Sequence, residues 1–179
     1  MRGAGTIGVV TRLVECDDKA FARLIGDGGP FDYELGERYI VAPAASFGHA
    51  DAQLTIGGTL RGFFARVVAS TNLGVLGEHR RSWYVVPDVV VAPDDTAGGD
   101  ALLDAVIAVE IRSPAEDPQS KLAAYREVMA RTGLTVGEVW YVDADRVMVH
   151  ANANAQPGET AYGEALDAVR AALRGSGAA

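Results

Sequence analysis

The sequence predicts an α/β fold in which helices flank a mixed central β-sheet. Residues 85–91 and 105–111 are two short apolar segments rich in valine, which is the pattern of buried strands. After the second segment, Asp117-Pro118 and Gly133 carry the start and stop signals of a helix. A further β-rich stretch, residues 139–142, follows that helix, so strands and helices alternate along the chain.

The amino-terminal part is predicted to consist of short elements separated by loops. These are a strand within residues 6–14, a helix over 17–24 capped by Asp17 or Asp18, a loop over 26–30, and a strand or strand pair over 31–41 with a turn at Gly36. Residues 46–64 are predicted to form a helix, although Gly57, Gly58 and Gly62 lower its intrinsic propensity.

The rest of the chain is predicted to form most of the sheet and two more helices. The expected elements are strands over 67–76, 83–91 and 105–111, a loop over 93–100, a hairpin that pairs 139–142 with 147–149, a loop over 152–158, a helix over 164–173 and a frayed end at 175–179. In the helix that Asp117 caps, Leu122, Tyr125 and Met129 recur at helical spacing.

The composition is typical of one soluble globular domain. The chain has 179 residues, of which 49% are hydrophobic and 22% charged, and this length is enough for one well-formed core. Cys16 is the only cysteine, which excludes a disulfide within the chain and favours a cytoplasmic protein. Since no signal-peptide pattern follows Met1 and no apolar run reaches transmembrane length, we expect a protein that is not exported.

The formal net charge of −8 weighs against tight, nonspecific binding of nucleic acid, because such binding depends on lysine and arginine neutralising phosphates. It does not exclude DNA as a partner, since local patches matter more than the total charge. The densest basic cluster is His79-Arg80-Arg81.

Two acids, Asp88 and Glu110, interrupt the two apolar segments. Burying an unpaired charge is costly, so acids in such positions indicate a function. Side chains alternate across a strand, and Glu110 is therefore expected on the same face as Val106 and Ala108. By the same rule Asp88 is expected on the face of Val90. If the two strands pair, both carboxylates can converge on one divalent cation such as Mg²⁺, which prefers oxygen ligands.

A metal ion at this position could polarise a phosphodiester and lower the pKa of a bound water, with the backbone carbonyl of Ile111 as a further ligand. Lys121, early in the following helix, is the best candidate to orient that water or to offset the charge of the transition state. Tyr125 lies one turn further along the same helix face. Arg112 shares the face of Glu110 but stays protonated, so it cannot act as a base.

Each of these residues also has an ordinary structural explanation. Asp88 follows a proline, as turn residues often do. Glu110 could pair with Arg112, and Lys121 could be a solvated lysine paired with Asp117. For any one residue alone the structural explanation is favoured, whereas the two acids and the lysine in this order favour a site.

These residues resemble the Uma-type putative restriction endonuclease family of the PD-(D/E)XK nuclease superfamily. The matching elements are Pro87-Asp88, Glu110-Ile111-Arg112-Ser113-Pro114, then Asp117, Lys121 and Tyr125, and Trp140-Tyr141-Val142-Asp143. Upstream, Tyr33-Glu34-Leu35-Gly36-Glu37 and the residues Pro43, Ser46 and His49 are similar to elements that precede the long helix of that family. The resemblance spans residues 31–150, which is most of the chain.

The resemblance implies a restriction-endonuclease-like core over residues 31–179, with residues 1–30 as a strand and helix extension packed on it. The implied site consists of Asp88 and Glu110 as metal ligands, Lys121 as the catalytic lysine and Glu37 as an accessory acid. A Mg²⁺ or Mn²⁺ cofactor and a homodimer are also implied.

Two departures from the family pattern affect the site. The element that holds Glu34 and Glu37 is shorter than usual, which leaves open which of these acids joins the site. Arg112 stands where the superfamily has lysine and this family usually has an apolar residue. His49 has two interpretations: a proton shuttle or water-orienting group in the cleft, or a polar residue of the first helix turn, which is slightly favoured.

Three functions are compatible with these patterns. The first is a Mg²⁺-dependent endonuclease, a hydrolase that cleaves phosphodiesters in DNA. The second is a nuclease-fold protein without turnover that serves in interaction or regulation, which the net charge of −8 favours. A weaker third is a metal-dependent hydrolase of another phosphorylated substrate. Trp83, Trp140 and Tyr141 are expected to be core aromatics rather than platforms for stacked bases.

Overall fold

The computed structural model describes residues 12–13, 33–35, 39–41, 47–75, 83–96, 102–112, 117–144 and 146–176. These residues form three helices, α1 (Phe47–Leu60), α2 (Pro118–Thr132) and α3 (Gly163–Ser176). The strands are β1 (Arg12–Leu13), β2 (Tyr33–Leu35), β3 (Tyr39–Val41), β4 (Val67–Ala69), β5 (Leu73–Val75), β6 (Trp83–Val85), β7 (Val89–Val91), β8 (Asp104–Ile111), β9 (Thr135–Asp143) and β10 (Arg146–Ala151).

A five-stranded sheet in the order β10-β9-β8-β7-β4 is the centre of the described structure. Strands β8 and β9 run parallel and are connected through α2, whereas the other neighbouring strands pair antiparallel. Strands β1, β3 and β2 form a second sheet, and β5 and β6 form a two-stranded ribbon. The predicted mixed α/β fold is therefore confirmed.

Each face of the central sheet carries its own hydrophobic core. On one face α1 and α3 pack on the sheet, and the buried residues Leu166, Val169 and Leu173 form the apolar stripe of α3. On the other face α2 packs through residues such as Leu122 and Tyr125. Trp140 and Tyr141 are fully buried, as expected of core aromatics.

Strand β8 directs its side chains alternately into these two cores. Ile107, Val109 and Ile111 belong to the core under α1 and α3, and Ala108 belongs to the core under α2. By this alternation Glu110 lies on the α2 face, together with Ala108 as predicted.

The prediction that Val106 shares the face of Glu110 is wrong, because Val106 packs against the core under α1 and α3. The alternation therefore breaks between Val106 and Ile107, since both contact this core whereas Ala105 lies in the other. Gly137 of β9 lies beside this break, and a Cβ atom on it would come within 2.7 Å of the Val106 carbonyl oxygen. The absence of a side chain at Gly137 is what lets the two strands approach here.

The limits of α2 agree with the sequence. The Asp117 side chain accepts hydrogen bonds from the N–H groups of Gln119 and Ser120, each at 3.2 Å. The Gln119 N–H and then the Ser120 hydroxyl hold the pKa of the Asp117 carboxyl below its usual value. Gly133 ends the helix in the left-handed conformation, with φ of 76°, and donates its N–H to the Met129 carbonyl.

Other predicted boundaries differ from the structure. The strand predicted over 67–76 is divided into β4 and β5, and Ser70 between them has a positive φ of 47°. The strand predicted over 83–91 is divided into β6 and β7 around Pro87, which has no N–H for a ladder. Helix α1 ends at Leu60 rather than 64, and α3 continues to Ser176 rather than ending at 173. The β9–β10 hairpin was predicted correctly. Of the two alternatives over 31–41, a strand or a strand pair, the structure has the pair β2–β3.

Several predictions fall outside the described residues: the helix over 17–24, the loop over 26–30, the turn at Gly36, the basic cluster at 79–81 and the end at 177–179. The extension over residues 1–30 stays a prediction. Of the described helices, none has both the length and the hydropathy needed to span a bilayer.

Replacing Gly137 with alanine should destabilise the fold by about 1–3 kcal/mol, because the added methyl group overlaps a main-chain oxygen that moves only with β8. Equilibrium unfolding in denaturant measures the change. Gly58→Ala is the matched control: its new Cβ meets no atom within 4 Å, so it should be neutral or stabilise by about 0.5–1 kcal/mol. Wild-type stability of Gly137→Ala would contradict the close approach of β8 and β9.

Candidate active site at the carboxyl end of strand β8

The two acids singled out by the sequence occupy neighbouring positions at one end of the central sheet. Val89, the first residue of β7, pairs with Val109 of β8 in antiparallel register. The next opposed positions along this register are Asp88 and Glu110. Asp88 itself lies in a bend before β7 rather than inside the strand.

The main chain of Asp88 is fixed by three hydrogen bonds. Its N–H donates to the Val109 carbonyl at 3.0 Å. Its carbonyl accepts from the Ser70 N–H at 3.1 Å and from the Gln53 side-chain amide at 2.6 Å. These contacts join the start of β7 to β8, to the end of β4 and to α1.

The Asp88 carboxylate lies between α1 and the main chain of β8. Oδ1 is 2.7 Å from Nε2 of His49, and Oδ2 accepts the Ile111 N–H at 2.7 Å. Because main-chain N–H groups point along the sheet, the carboxylate lies close to the sheet plane. The prediction that Asp88 shares the face of Val90 does not hold, since Val90 packs under α2 whereas Asp88 reaches His49 of α1.

The Glu110 carboxylate is buried on the α2 face, with the residue only 2% exposed. Oε1 accepts the Tyr125 hydroxyl at 2.5 Å, and Oε2 is 3.3 Å from Nζ of Lys121. Lys121 and Tyr125 are themselves buried. The structure therefore brings together three residues that the sequence assigned to one site.

This arrangement removes two of the ordinary explanations. Lys121 is not a solvated lysine paired with Asp117, because its ammonium group is buried beside Glu110 and Asp117 caps the helix. Arg112 does not pair with Glu110, since its guanidinium group is 2.7 Å from Asp143 in a half-exposed ion pair. Arg112 thus stands at the same end of the sheet but outside the buried cluster.

The upstream candidates are only partly located. His49 lies in the first turn of α1 and contacts Asp88. Glu34 belongs to β2, and Glu37 lies outside the described residues. Sequence reasoning missed Gln53, although it lies four residues after His49 and so on the same helix face, which is the signal that could have found it.

This end of the sheet carries oxygen donors of the type that a hard divalent cation prefers. Asp88 and Glu110 supply carboxylates, and the Ile111 carbonyl points to the same edge of β8 as the Ile111 N–H. The register places Pro87, which has no N–H, opposite that carbonyl. Within the described part of the chain, however, no three His, Cys, Asp or Glu side chains already surround one metal position. The carboxylate oxygens of Asp88 and Glu110 are instead bonded to protein groups.

Comparison with known proteins gives a consistent picture. A family model described as Uma2, putative restriction endonuclease, matches residues 18–174. Among solved structures, the chain is similar to a crystal structure of a putative nuclease belonging to DUF820 from Anabaena variabilis, with a TM-score of 0.50. The two share 15% sequence identity over 80% of this chain and 92% of the other, so this likeness concerns the fold alone. No curated protein sequence matches the chain.

Lys121→Met should lower the free energy of unfolding by roughly 3–5 kcal/mol, because it removes a buried cation that lies beside the Glu110 carboxylate. Denaturant unfolding measures this loss. The control is Glu127→Gln, which removes the acid of a half-exposed pair with Arg131 and should change stability by less than about 1 kcal/mol.

Adding Glu110→Gln to Lys121→Met should restore part of the lost stability, since both charges of the buried pair are then removed together. Additive losses in this double-mutant cycle would show that Glu110 and Lys121 are not energetically coupled.

Proposed function

Because the chain belongs to the Uma2 family of putative restriction endonucleases, we propose that it is a metal-dependent endonuclease that hydrolyses phosphodiester bonds in DNA. The family match and the nuclease-like fold support a nuclease-type function. The observation that carries the finer proposal is the cluster at the end of β8. There Glu110 is buried against Lys121 and Tyr125. The Asp88 carboxylate accepts the N–H of Ile111, the residue that follows Glu110 in β8.

The proposed ligands of a Mg²⁺ or Mn²⁺ ion are Asp88, Glu110 and the main-chain carbonyl of Ile111. Such an ion would supply Lewis acidity toward a phosphate oxygen and lower the pKa of a water. The protein's part is to hold these oxygen donors in place. The Ile111 N–H orients the Asp88 carboxylate, and the Tyr125 hydroxyl orients the Glu110 carboxylate.

Lys121 has the chemistry to assist the reaction directly. An ammonium group has three N–H donors, so Lys121 can keep its contact with Glu110 and still donate to an attacking water or to a phosphate oxygen. Its positive charge would offset the negative charge that develops in the transition state. Burial strengthens this effect, because water no longer screens the charge.

The other candidate residues have supporting roles in the proposal. Arg112 is half-exposed at the same strand end, where its guanidinium group can bind a DNA phosphate. Glu37 or Glu34 is the proposed accessory acid. We further propose, from the family resemblance, a cytoplasmic homodimer. Because the net charge is −8, DNA contacts should be confined to this end of the sheet and should weaken as salt increases.

A second candidate function is a nuclease-fold protein without turnover that acts in interaction or regulation. The observation in its favour is that both acids are bonded to protein groups, Asp88 to His49 and the Ile111 N–H, and Glu110 to Lys121 and Tyr125. A purely structural cluster would show the same contacts.

The endonuclease proposal predicts that the purified chain nicks plasmid DNA at low salt in the presence of Mg²⁺ or Mn²⁺ and not in EDTA. Asp88→Ala, Glu110→Ala and Lys121→Met should each reduce the rate by about 100-fold or more, because each removes a group proposed to act on the charged transition state. Gel electrophoresis measures the conversion of supercoiled to relaxed plasmid. Circular dichroism identifies variants that remain folded.

The control is Asp167→Ala on α3. Its side chain is exposed and contacts Arg170 of the same helix, so this variant should nick at the wild-type rate. If the wild-type chain binds neither divalent metal nor DNA at low salt, the non-catalytic function replaces the endonuclease.

A further inference from the structure

We propose that the exposed face of α1 pairs antiparallel with the same face of a second copy of this chain. The face, which we call the α1 outer face, consists of Asp51, Leu54, Gly58 and Arg61. This inference rests on the homodimer proposed above and supplies its contacts. It involves no metal ion and no group of the candidate active site, so it can fail while the proposed nuclease stands.

Helix α1 buries one side and leaves the outer face to solvent. Ile56 and Leu60 belong to the core under α1 and α3. Leu54 is 77% exposed, and Gly58 and Arg61 are exposed as well. Because residues three and four apart are neighbours on a helix, the outer face is one continuous stripe about three turns long.

Gly58 has no explanation within the chain. A glycine in an exposed helix interior costs about 1 kcal/mol relative to alanine. A Cβ atom on Gly58 would meet no atom within 4 Å, so no contact that the structure describes requires a glycine there. A second helix does require one, because the missing side chain leaves a depression one turn from Leu54 that a protruding leucine can fill.

The spacing of Leu54 and Gly58 matches a two-fold contact. In a two-fold dimer each surface meets itself, so residue i contacts residue j and j contacts i. In two antiparallel helices such partners lie equally far on either side of one central position. Leu54 and Gly58 are each two residues from Ile56. If the helices cross at the level of Ile56, each leucine therefore lies over Gly58 of the partner subunit.

The same register pairs opposite charges. Asp51 and Arg61 are each five residues from Ile56, so each aspartate lies opposite Arg61 of the partner subunit. Arg61 continues the helical path, since its N–H donates to the Gly57 carbonyl at 3.2 Å. Among the described residues, neither Asp51 nor Arg61 forms an ion pair within the chain.

This charge arrangement identifies a second copy as the occupant. The face is its own electrostatic complement in the antiparallel direction, whereas a parallel pair would oppose aspartate to aspartate and arginine to arginine. Three turns of one helix form a smaller contact than the roughly 800 Å² per partner of stable interfaces. We therefore expect a weak dimer whose population rises with concentration across the micromolar range.

Charge exchange between two variants tests the register. Asp51→Arg opposes arginines in both pairs, and Arg61→Asp opposes aspartates, so each variant alone should self-associate about tenfold or more weakly than the wild type. An equimolar mixture of the two should dimerise again, because both pairs are then complementary. Sedimentation velocity measures the dimer, and a mass tag on one variant identifies the mixed species.

The matched control for charge is Glu127→Arg, which changes the net charge by the same amount. It lies on α2, on the opposite face of the sheet, and its side chain is half-exposed. This variant should dimerise like the wild type and should not associate preferentially with either exchange variant.

Leu54→Asp tests the centre of the contact. It should weaken the dimer by at least about 30-fold, because it removes the central apolar side chain and places a charge in the interface. Leu103→Asp, which alters another exposed leucine before β8, is the control and should leave the dimer unchanged.

Gly58→Ala separates packing between copies from packing within the chain. The added methyl group meets no atom of its own chain but would overlap Leu54 of the partner subunit. Association should weaken by about tenfold, while the unfolding free energy of the dilute, monomeric chain should stay the same or rise.

The outcomes separate this inference from the proposals on which it rests. If the wild-type chain is monomeric at every concentration, this inference and the homodimer fail together, and plasmid nicking still decides the nuclease. If the wild type dimerises but Asp51→Arg and Arg61→Asp do so equally well, or do not associate when mixed, the dimer forms elsewhere and this inference is overturned.

Discussion

The buried ion pair between Glu110 and Lys121 is the constraint on which the rest of the structure depends. A charge under α2 is tolerated only beside an opposite charge, because an isolated buried carboxylate costs several kcal/mol. Lys121 can reach Glu110 only if α2 begins where it does. That start is fixed by the Asp117 cap and by Pro118 at the first helical position. The cap, the crossover from β8 to β9 and the site are therefore parts of one arrangement.

The end of β8 also lies between the two hydrophobic cores of the central sheet. Glu110 faces α2, and the Ile111 side chain belongs to the core under α1 and α3. The Asp88 carboxylate lies between these two faces of the sheet and accepts the Ile111 N–H. A strand that continued regularly through Asp88 would have sent its side chain under α2. The bend at Pro87 and Asp88 instead turns the carboxylate toward His49, so a break in the ladder produces the geometry of the site.

The sequence was sufficient for the fold class, because apolar strands, a capped helix and a hairpin are encoded by neighbouring residues. It was also sufficient for the Glu110, Lys121 and Tyr125 cluster, because helical and strand periodicity place these side chains on facing surfaces. It failed where the main chain leaves its regular path. Neither the turned face of Val106 nor the direction of Asp88 follows from alternation, since each depends on a partner segment distant in sequence.

The same contacts explain how two acids can lie at opposed positions of neighbouring strands. The ammonium group of Lys121 lies beside Glu110, and Asp88 is bonded to a main-chain N–H and an imidazole. These neighbouring groups offset the repulsion between the two carboxylates. A metal ion arriving here would compete with protein donors for the carboxylates. The affinity for the proposed ion would thus be moderated by the groups that hold the two carboxylates. Tyr125 and the Ile111 N–H, if they remain bonded, would retain the orientation of both acids.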